Sequence, residues 1–243
     1  MLKGENITKR FGGVTALSAL DFQVDEGEIM GLIGPNGSGK TTLFGIISGF
    51  IPPDAGSIIF RGQVITGRKP YQIAQMGIGR TFQIVKPFNE LTVLDNVAIG
   101  VVYGHGEKDM TKATKRANAV LEFVDLSDKR YVRASQLTLV ERKRLEVGRS
   151  LSISPKLLLL DEVFAGLNAT DLKQAIALVF RIRQEMGVTI FIVEHALNAI
   201  MSTCNRVIVL DYGCKLASGT PDEIVKNPEV IKAYLGEAYA EGR

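Results

Sequence analysis

The sequence predicts an α/β domain interrupted by a helical insertion, and three observations carry that prediction. Leu157 to Leu160 is a continuous apolar run and Val188 to Val193 is apolar but for Thr189, the composition of parallel strands covered on both faces. Asp171 to Met186 between them is an amphipathic helix, with Leu172, Ile176, Val179 and Ile182 on one face and Gly187 as its stop. From about Ile84 to Ser154 the strand signal fades into helical patterns.

In chain order, Leu2 to Thr8, Leu20 to Val24 and Glu28 to Ile33 read as strands. The third runs straight into the glycine loop Gly34 to Thr41, and Thr42 to Ser48 has helical composition with Gly49 at its end. The turn at Pro52, Pro53, Asp54 and Gly56 leads into a strand, Ser57 to Phe60, and Gly62 turns the chain again. Within the insertion, Val93 to Val102 and Lys112 to Val124 read as helices, the second placing Ala117, Val120, Leu121 and Val124 together, with Gly104 to Asp109 as their loop. Arg206 to Leu210 is a further buried strand, and the tail from Thr220 carries short helices broken at Pro228. No internal repeat or low-complexity tract occurs, so 1–243 reads as one domain, with a helical subdomain at about 84–154 and a helical tail at about 220–243.

Composition excludes several classes. The 243 residues suit one sizeable domain, and 46% hydrophobic residues with a net charge of +3 exclude a disordered chain. That small positive balance gives no whole-chain case for nucleic acid or an acidic membrane. Cys204 and Cys214, with only two histidines in the chain, support neither a zinc site nor a disulfide framework, and reduced cytosolic thiols are expected. Met1 to Arg10 has no apolar targeting segment, and the longest apolar runs fall far short of the ~18 residues of a membrane helix. The expectation is a protein neither secreted nor membrane-spanning that can dock on one that spans.

Gly34-Pro35-Asn36-Gly37-Ser38-Gly39-Lys40-Thr41 matches the G-x-x-x-x-G-K-[ST] phosphate loop, set between a strand and a helix as the motif requires. Glycines let successive N–H groups turn inward and the helix N-terminus adds positive partial charge. Lys40 is placed to reach the β- and γ-phosphates, Thr41 to offer its hydroxyl to Mg²⁺, and Thr42 follows in the same turn. Leu157 to Leu160 then delivers Asp161 and Glu162 to a strand end, Asp161 toward Mg²⁺ through water and Glu162 toward the attacking water. His195 follows Val188 to Val193 to the same sheet edge, as a contact to the γ-phosphate or water. Gln83, in Arg80-Thr81-Phe82-Gln83, closes the strand before the insertion, where its amide reaches Mg²⁺ or water.

This ordered set resembles the ATP-binding subunit of ATP-binding-cassette transporters across essentially the whole chain. The resemblance implies a P-loop NTPase (RecA-like) core with an N-terminal antiparallel β subdomain and an inserted α-helical subdomain. It implies ATP and Mg²⁺ as ligands and stacking of adenine on Phe11. It also implies a dimer with ATP sandwiched between one subunit's phosphate loop and the other's signature segment.

That signature segment departs from the usual Leu-Ser-Gly-Gly-Gln and reads Leu137-Thr138-Leu139-Val140-Glu141. Thr138 keeps a hydroxyl at a helix start, where it would leave N–H groups for the opposing γ-phosphate. The cations Arg142, Lys143 and Arg144 admit two readings, a solvated helix face or a phosphate contact. Asn168 stands where the family usually has Asp, and Val163 replaces the common Pro after Asp-Glu.

Within the family the chain is similar to the ATPases of branched-chain amino acid importers. The similarity lies in Gly77 to Gln83, Phe88 to Val97, Ala165 to Asn168, Gly219 to Val225 and Val230 to Glu237. This implies a subunit on the cytoplasmic face of the membrane that energises uptake of branched-chain amino acids or related amides. Its implied partners are permease subunits docked on the helical subdomain, a second ATPase identical or related to itself and, indirectly, a substrate-binding protein. A lipid or lipopolysaccharide exporter ATPase and a non-transport cassette remain the alternatives.

Overall fold

The computed structural model describes residues 1–83 and 86–235. Positions 84–85, where the expected helical subdomain begins, and 236–243, the end of the expected tail, lie outside the described residues. Strands β1 (Leu2–Phe11), β2 (Val14–Val24), β4 (Ala55–Phe60) and β5 (Gln63–Val64) form an antiparallel sheet in the order β2-β1-β4-β5. Strands β3 (Ile29–Ile33), β6 (Ile78–Arg80), β7 (Leu157–Asp161), β8 (Thr189–Val193) and β9 (Arg206–Asp211) run parallel in the order β9-β3-β8-β7-β6. Strand β10 (Cys214–Gly219) closes the β9 edge antiparallel.

The continuous apolar runs have a simple cause. Successive strand residues point to opposite faces, and both faces of this sheet are covered. In β7, Leu158 and Leu160 join the core shared with the helices, while Leu157 and Leu159 join the core facing the antiparallel sheet. That second core also packs α1 (Lys40–Ile47) between the sheets through Leu43, Phe44 and Ile47.

The helical segment comprises α3 (Val93–His105), α4 (Met110–Phe123) and α5 (Leu139–Leu151). Helix α3 starts in a capping box of Thr92 and Asp95, and Asp109 caps α4 by accepting the N–H groups of Thr111 and Lys112. The expected loop at 104–109 is shorter than the sequence suggests, because α3 continues to His105 and turns at Gly106. Gly104 is a packing glycine: a Cβ there would lie 2.4 Å from Ile153 Cγ2, and one at Gly100 would lie 1.9 Å from Ser152 Oγ. The absence of both side chains lets α3 approach the 149–153 stretch. Helix α6 (Ala169–Met186) buries Leu178, Val179 and Ile182. Leu172 and Ile176 are half-buried against the same core, and Gly187 ends the helix in the left-handed region. Helices α2 (Pro70–Gln75), α7 (Leu197–Thr203), α8 (Pro221–Lys226) and α9 (Pro228–Leu235) complete the described chain.

Phe191 of β8 is fully buried, its ring 5.2 Å from Phe44 of α1 and 6.0 Å from Phe22 of β2, so one side chain joins both sheets and α1. Phe191→Ala is expected to cost about 3–5 kcal/mol of stability, read as a fall in the denaturant midpoint. An unchanged midpoint would show that the two sheets do not depend on this contact.

Candidate active site

Parallel register brings the ends of four strands to one edge. Arg80 pairs with Leu159, Asp161 with Val193, and Leu32 with Val193, so the residues that follow these positions emerge side by side. From β3 the chain enters the loop at Gly34, where a Cβ would stand 2.1 Å from the Leu210 carbonyl oxygen, so only glycine fits. Gly39 caps α1 at φ 105 with no side-chain hydrogen bond, which leaves the N–H groups of the first turn without a side-chain cap. Lys40 is buried, and its Nζ donates to the carbonyl oxygens of Gly34 (2.7 Å) and Pro35 (2.9 Å). Burial lowers its pKa, opposed by the charges of Glu162 and Asp161. Thr41 is exposed and Thr42 half-buried beside it.

The acidic groups stand opposite. Asp161 is 2% exposed and accepts from Arg80 Nη2 at 3.0 Å. Burial raises its pKa and Arg80 lowers it. Its Oδ1 is buried with no hydrogen-bond partner among the described residues, as is Ser38 Oγ in the loop. Glu162 takes up a left-handed backbone, φ 51, and its two carboxylate oxygens are engaged separately. Gln83 Nε2 donates to Oε2 at 2.8 Å and His195 Nε2 lies 2.9 Å from Oε1. One pocket is lined by Asn36, Gly37, Gly39, Lys40, Thr41, Thr42, Gln83, Glu162 and His195. An orphaned carboxylate oxygen, a threonine hydroxyl at the helix start and a glutamine amide suit a magnesium ion carried on a triphosphate.

A buried layer behind this pocket escaped the sequence reading. Glu194 is 2% exposed; its Oε1 accepts the Phe164 N–H at 2.6 Å, and the N–H of the adjacent His195 favours its charged form. Burial pushes its pKa up to about 7, against the pull of these N–H groups and of Lys143. Lys143 Nζ donates to the carbonyl oxygens of Glu162 and Val163, each at 3.1 Å. Arg80 also donates to Ser48 Oγ and stacks against Phe44, Phe50 and Phe82. On α9, burial raises the Tyr234 hydroxyl pKa to about 12, against the pull of the Gly34 N–H. The available signal for Glu194 was a charged residue abutting a buried strand that is apolar from Ile190 to Val193; nothing in the sequence marks Tyr234.

A family model described as ABC transporter matches residues 17–165, and one described as branched-chain amino acid ATP-binding cassette transporter matches 214–240. The chain belongs to the ABC transporter family. As an ABC cassette it is an ATPase. It is 37% identical over 251 residues to the high-affinity branched-chain amino acid transport ATP-binding protein LivG of Escherichia coli (strain K12), covering 98% of each. Among solved structures it is similar to the ADP conformation of MJ1267, an ATP-binding cassette of an ABC transporter. That similarity has TM-score 0.88 and 32% identity, over 98% of this chain and 99% of that one. It is also similar to the dimeric post-hydrolysis state of the cassette MJ0796 bound to ADP and Pi. There the TM-score is 0.82 at 25% identity, over 91% of this chain and 99% of that one.

The remaining candidate residues of this ABC cassette lie outside the pocket. Phe11 ends β1, half-exposed, with Lys9 Nζ 5.3 Å from its ring centroid, and Thr138 caps α5 in a capping box with Glu141. The three cations after Glu141 form neither a solvated face nor a free phosphate cradle. Arg142 holds the carbonyl oxygens of Leu137 and Ser135, Lys143 those of Glu162 and Val163, and Arg144 holds Gln174 and Asp125. Asn168 caps α6 by accepting the N–H groups of Thr170 and Asp171, a task an aspartate would perform equally. No helix among the described residues is long and apolar enough to cross a membrane.

Glu194 gives the cassette a pH dependence of known sign. Its pKa rises from 4.5 to about 7 on folding, so between these values the folded chain holds a proton that the unfolded chain has released. Stability therefore falls as pH rises through that window. Glu194→Gln stays neutral, and its unfolding midpoint is expected to fall less than the parent's between about pH 5 and pH 7.5. Equal slopes would remove Glu194 as the titrating group.

Proposed function

We propose that this chain is the ATP-hydrolysing subunit of a membrane importer for branched-chain amino acids or related small amides, working on the cytoplasmic face of the membrane. The observation that carries the catalytic half is Glu162, held beside the phosphate loop with one oxygen on Gln83 and the other on His195. The transport half rests on the LivG likeness over 98% of both chains and on the family match at 214–240.

In this reading the amides of the phosphate loop and the Lys40 ammonium bind the β- and γ-phosphates. Thr41, Gln83 and Asp161 would hold magnesium, the last through water, and the bound ion would supply positive charge against the phosphate oxygens. Glu162 accepts a hydrogen bond from the attacking water and fixes its line of approach, while His195 holds the other carboxylate oxygen and faces the γ-phosphate. Phe11 stacks on adenine. Thr138, which does not line the phosphate pocket, serves the nucleotide of a second cassette in a dimer; the solved MJ0796 cassette is dimeric.

The membrane partner takes the groove between the sheet and the helical segment. Phe50, Tyr71, Phe82 and Phe88 are exposed there, with Arg80 and Glu146 at its floor. Gln83 directly follows Phe82, so movement of a docked helix would reach the Glu162 carboxylate through one residue. A substrate-binding protein acts through that membrane partner, and nucleic acid has no part.

Lys40→Ala is expected to weaken ATP binding about 10- to 100-fold, the loss of charge-assisted hydrogen bonds, measured by calorimetry. Glu162→Gln should bind ATP normally and lose at least about 100-fold in turnover. Normal turnover in Glu162→Gln, or leucine uptake by vesicles of the assembled transporter that persists in Lys40→Ala, would overturn the reading.

A further inference from the structure

Glu162 is held by its backbone as firmly as by its carboxylate. A left-handed backbone is strained for a non-glycine residue, and persists where the surroundings over-determine it. Here the Glu162 N–H is fixed by the Val193 carbonyl at 2.9 Å. Its own carbonyl and that of Val163 are both taken by Lys143, and the Phe164 N–H is taken by Glu194. Apolar packing does not share this task fully, because Val140, Val163, Phe164 and Leu167 border a small cavity of about 40 Å³.

The two anchors have different origins. Glu194 precedes His195, so the carboxylate that binds the N–H two residues past Glu162 is adjacent in the chain to the imidazole that meets the Glu162 carboxylate, and it sets the span between them. Lys143 belongs to α5, about one turn from the Thr138 cap, and its ammonium faces the Glu194 and Glu162 charges.

We propose that Lys143 and Glu194 are positioning residues for ATP hydrolysis, a paired clamp that sets where Glu162 and His195 stand and ties that placement to helix α5. The proposal rests on the reading of Glu162 as the hydrolytic carboxylate. Neither clamp residue lines the phosphate pocket, so their loss acts on turnover and leaves nucleotide affinity intact. Through Lys143, a displacement of the α5 N-terminus pulls on the Glu162 and Val163 carbonyls, which links the segment expected to meet a second subunit's nucleotide to this subunit's own catalytic carboxylate.

The test is steady-state Mg·ATP hydrolysis by the full chain, with kcat and KM separated, alongside ATP calorimetry and thermal melting. Lys143→Met and Glu194→Ala are each expected to lower kcat about 10- to 100-fold, the effect of a displacement near 1 Å, with KM and ATP affinity unchanged within about twofold. Lys143→Arg restores a donor and Glu194→Gln keeps the acceptor, and both should recover most of kcat. The double variant Lys143→Met/Glu194→Ala should be no slower than the slower single, because the two act as a unit. Glu162→Gln separates this proposal from the reading beneath it: normal turnover there defeats that reading. With Glu162→Gln inactive, parental kcat in both Lys143→Met and Glu194→Ala defeats the clamp alone. A kcat loss that follows ATP affinity or melting temperature, and that neither Lys143→Arg nor Glu194→Gln repairs, would reduce both residues to structural roles and also defeat it.

Discussion

The whole site depends on the register of a parallel sheet covered on both faces. Because β3, β8 and β7 run side by side in the same direction, Gly34, His195 and Glu162 must leave the sheet at one edge. Burial on both faces makes that register costly to slip, since a shift of one residue would exchange the two sets of core side chains in every strand. Leu157 to Leu160 thus acts at a distance on chemistry, by fixing where the next two carboxylates stand.

Carrying charge to that edge has an energetic cost, and the structure shows how it is met. Asp161 is nearly sealed, and its partner Arg80 is itself stacked among three phenylalanines. A buried pair of this kind contributes little net stability, but removing one member leaves an uncompensated charge, so the pair fixes geometry more than it adds to folding energy. The second Asp161 oxygen has no partner among the described residues, and that unmet capacity is what a hydrated cation would fill.

The legible parts of the sequence were those with a strong local cause. The phosphate loop, the buried strands and the glycine stops at Gly49 and Gly187 follow from backbone sterics and from alternation across a covered sheet. The loop at 104–109 was misjudged because Gly104 serves packing against Ile153, and a packing glycine looks in sequence like a turning one. Lys143 and Glu194 were illegible for another reason. Their partners are backbone carbonyls and N–H groups 19 to 30 residues away, and main-chain donors and acceptors leave no mark on residue identity. Phe11 and Thr138 differ again, since what they are expected to touch is a nucleotide or a second subunit and not this chain.

The altered signature segment follows from the same accounting of amides. Glu141 is spent on its own helix: it accepts the Thr138 N–H at 2.9 Å and pairs with Lys129 at 3.6 Å. The Thr138 hydroxyl in turn takes the Glu141 N–H. This capping box uses the Thr138 and Glu141 amides and leaves those of Leu139 and Val140 without a hydrogen-bond partner among the described residues. The side chains that replace the usual glycines do not close this end of the helix. Val140 turns down toward the cavity beside Lys143, and Leu139 lies over Gly166, which has no Cβ to oppose it. The amides at the start of α5 therefore stay open to an anion, and the charge of Glu141 is held at its own helix N-terminus, where the macrodipole favours it.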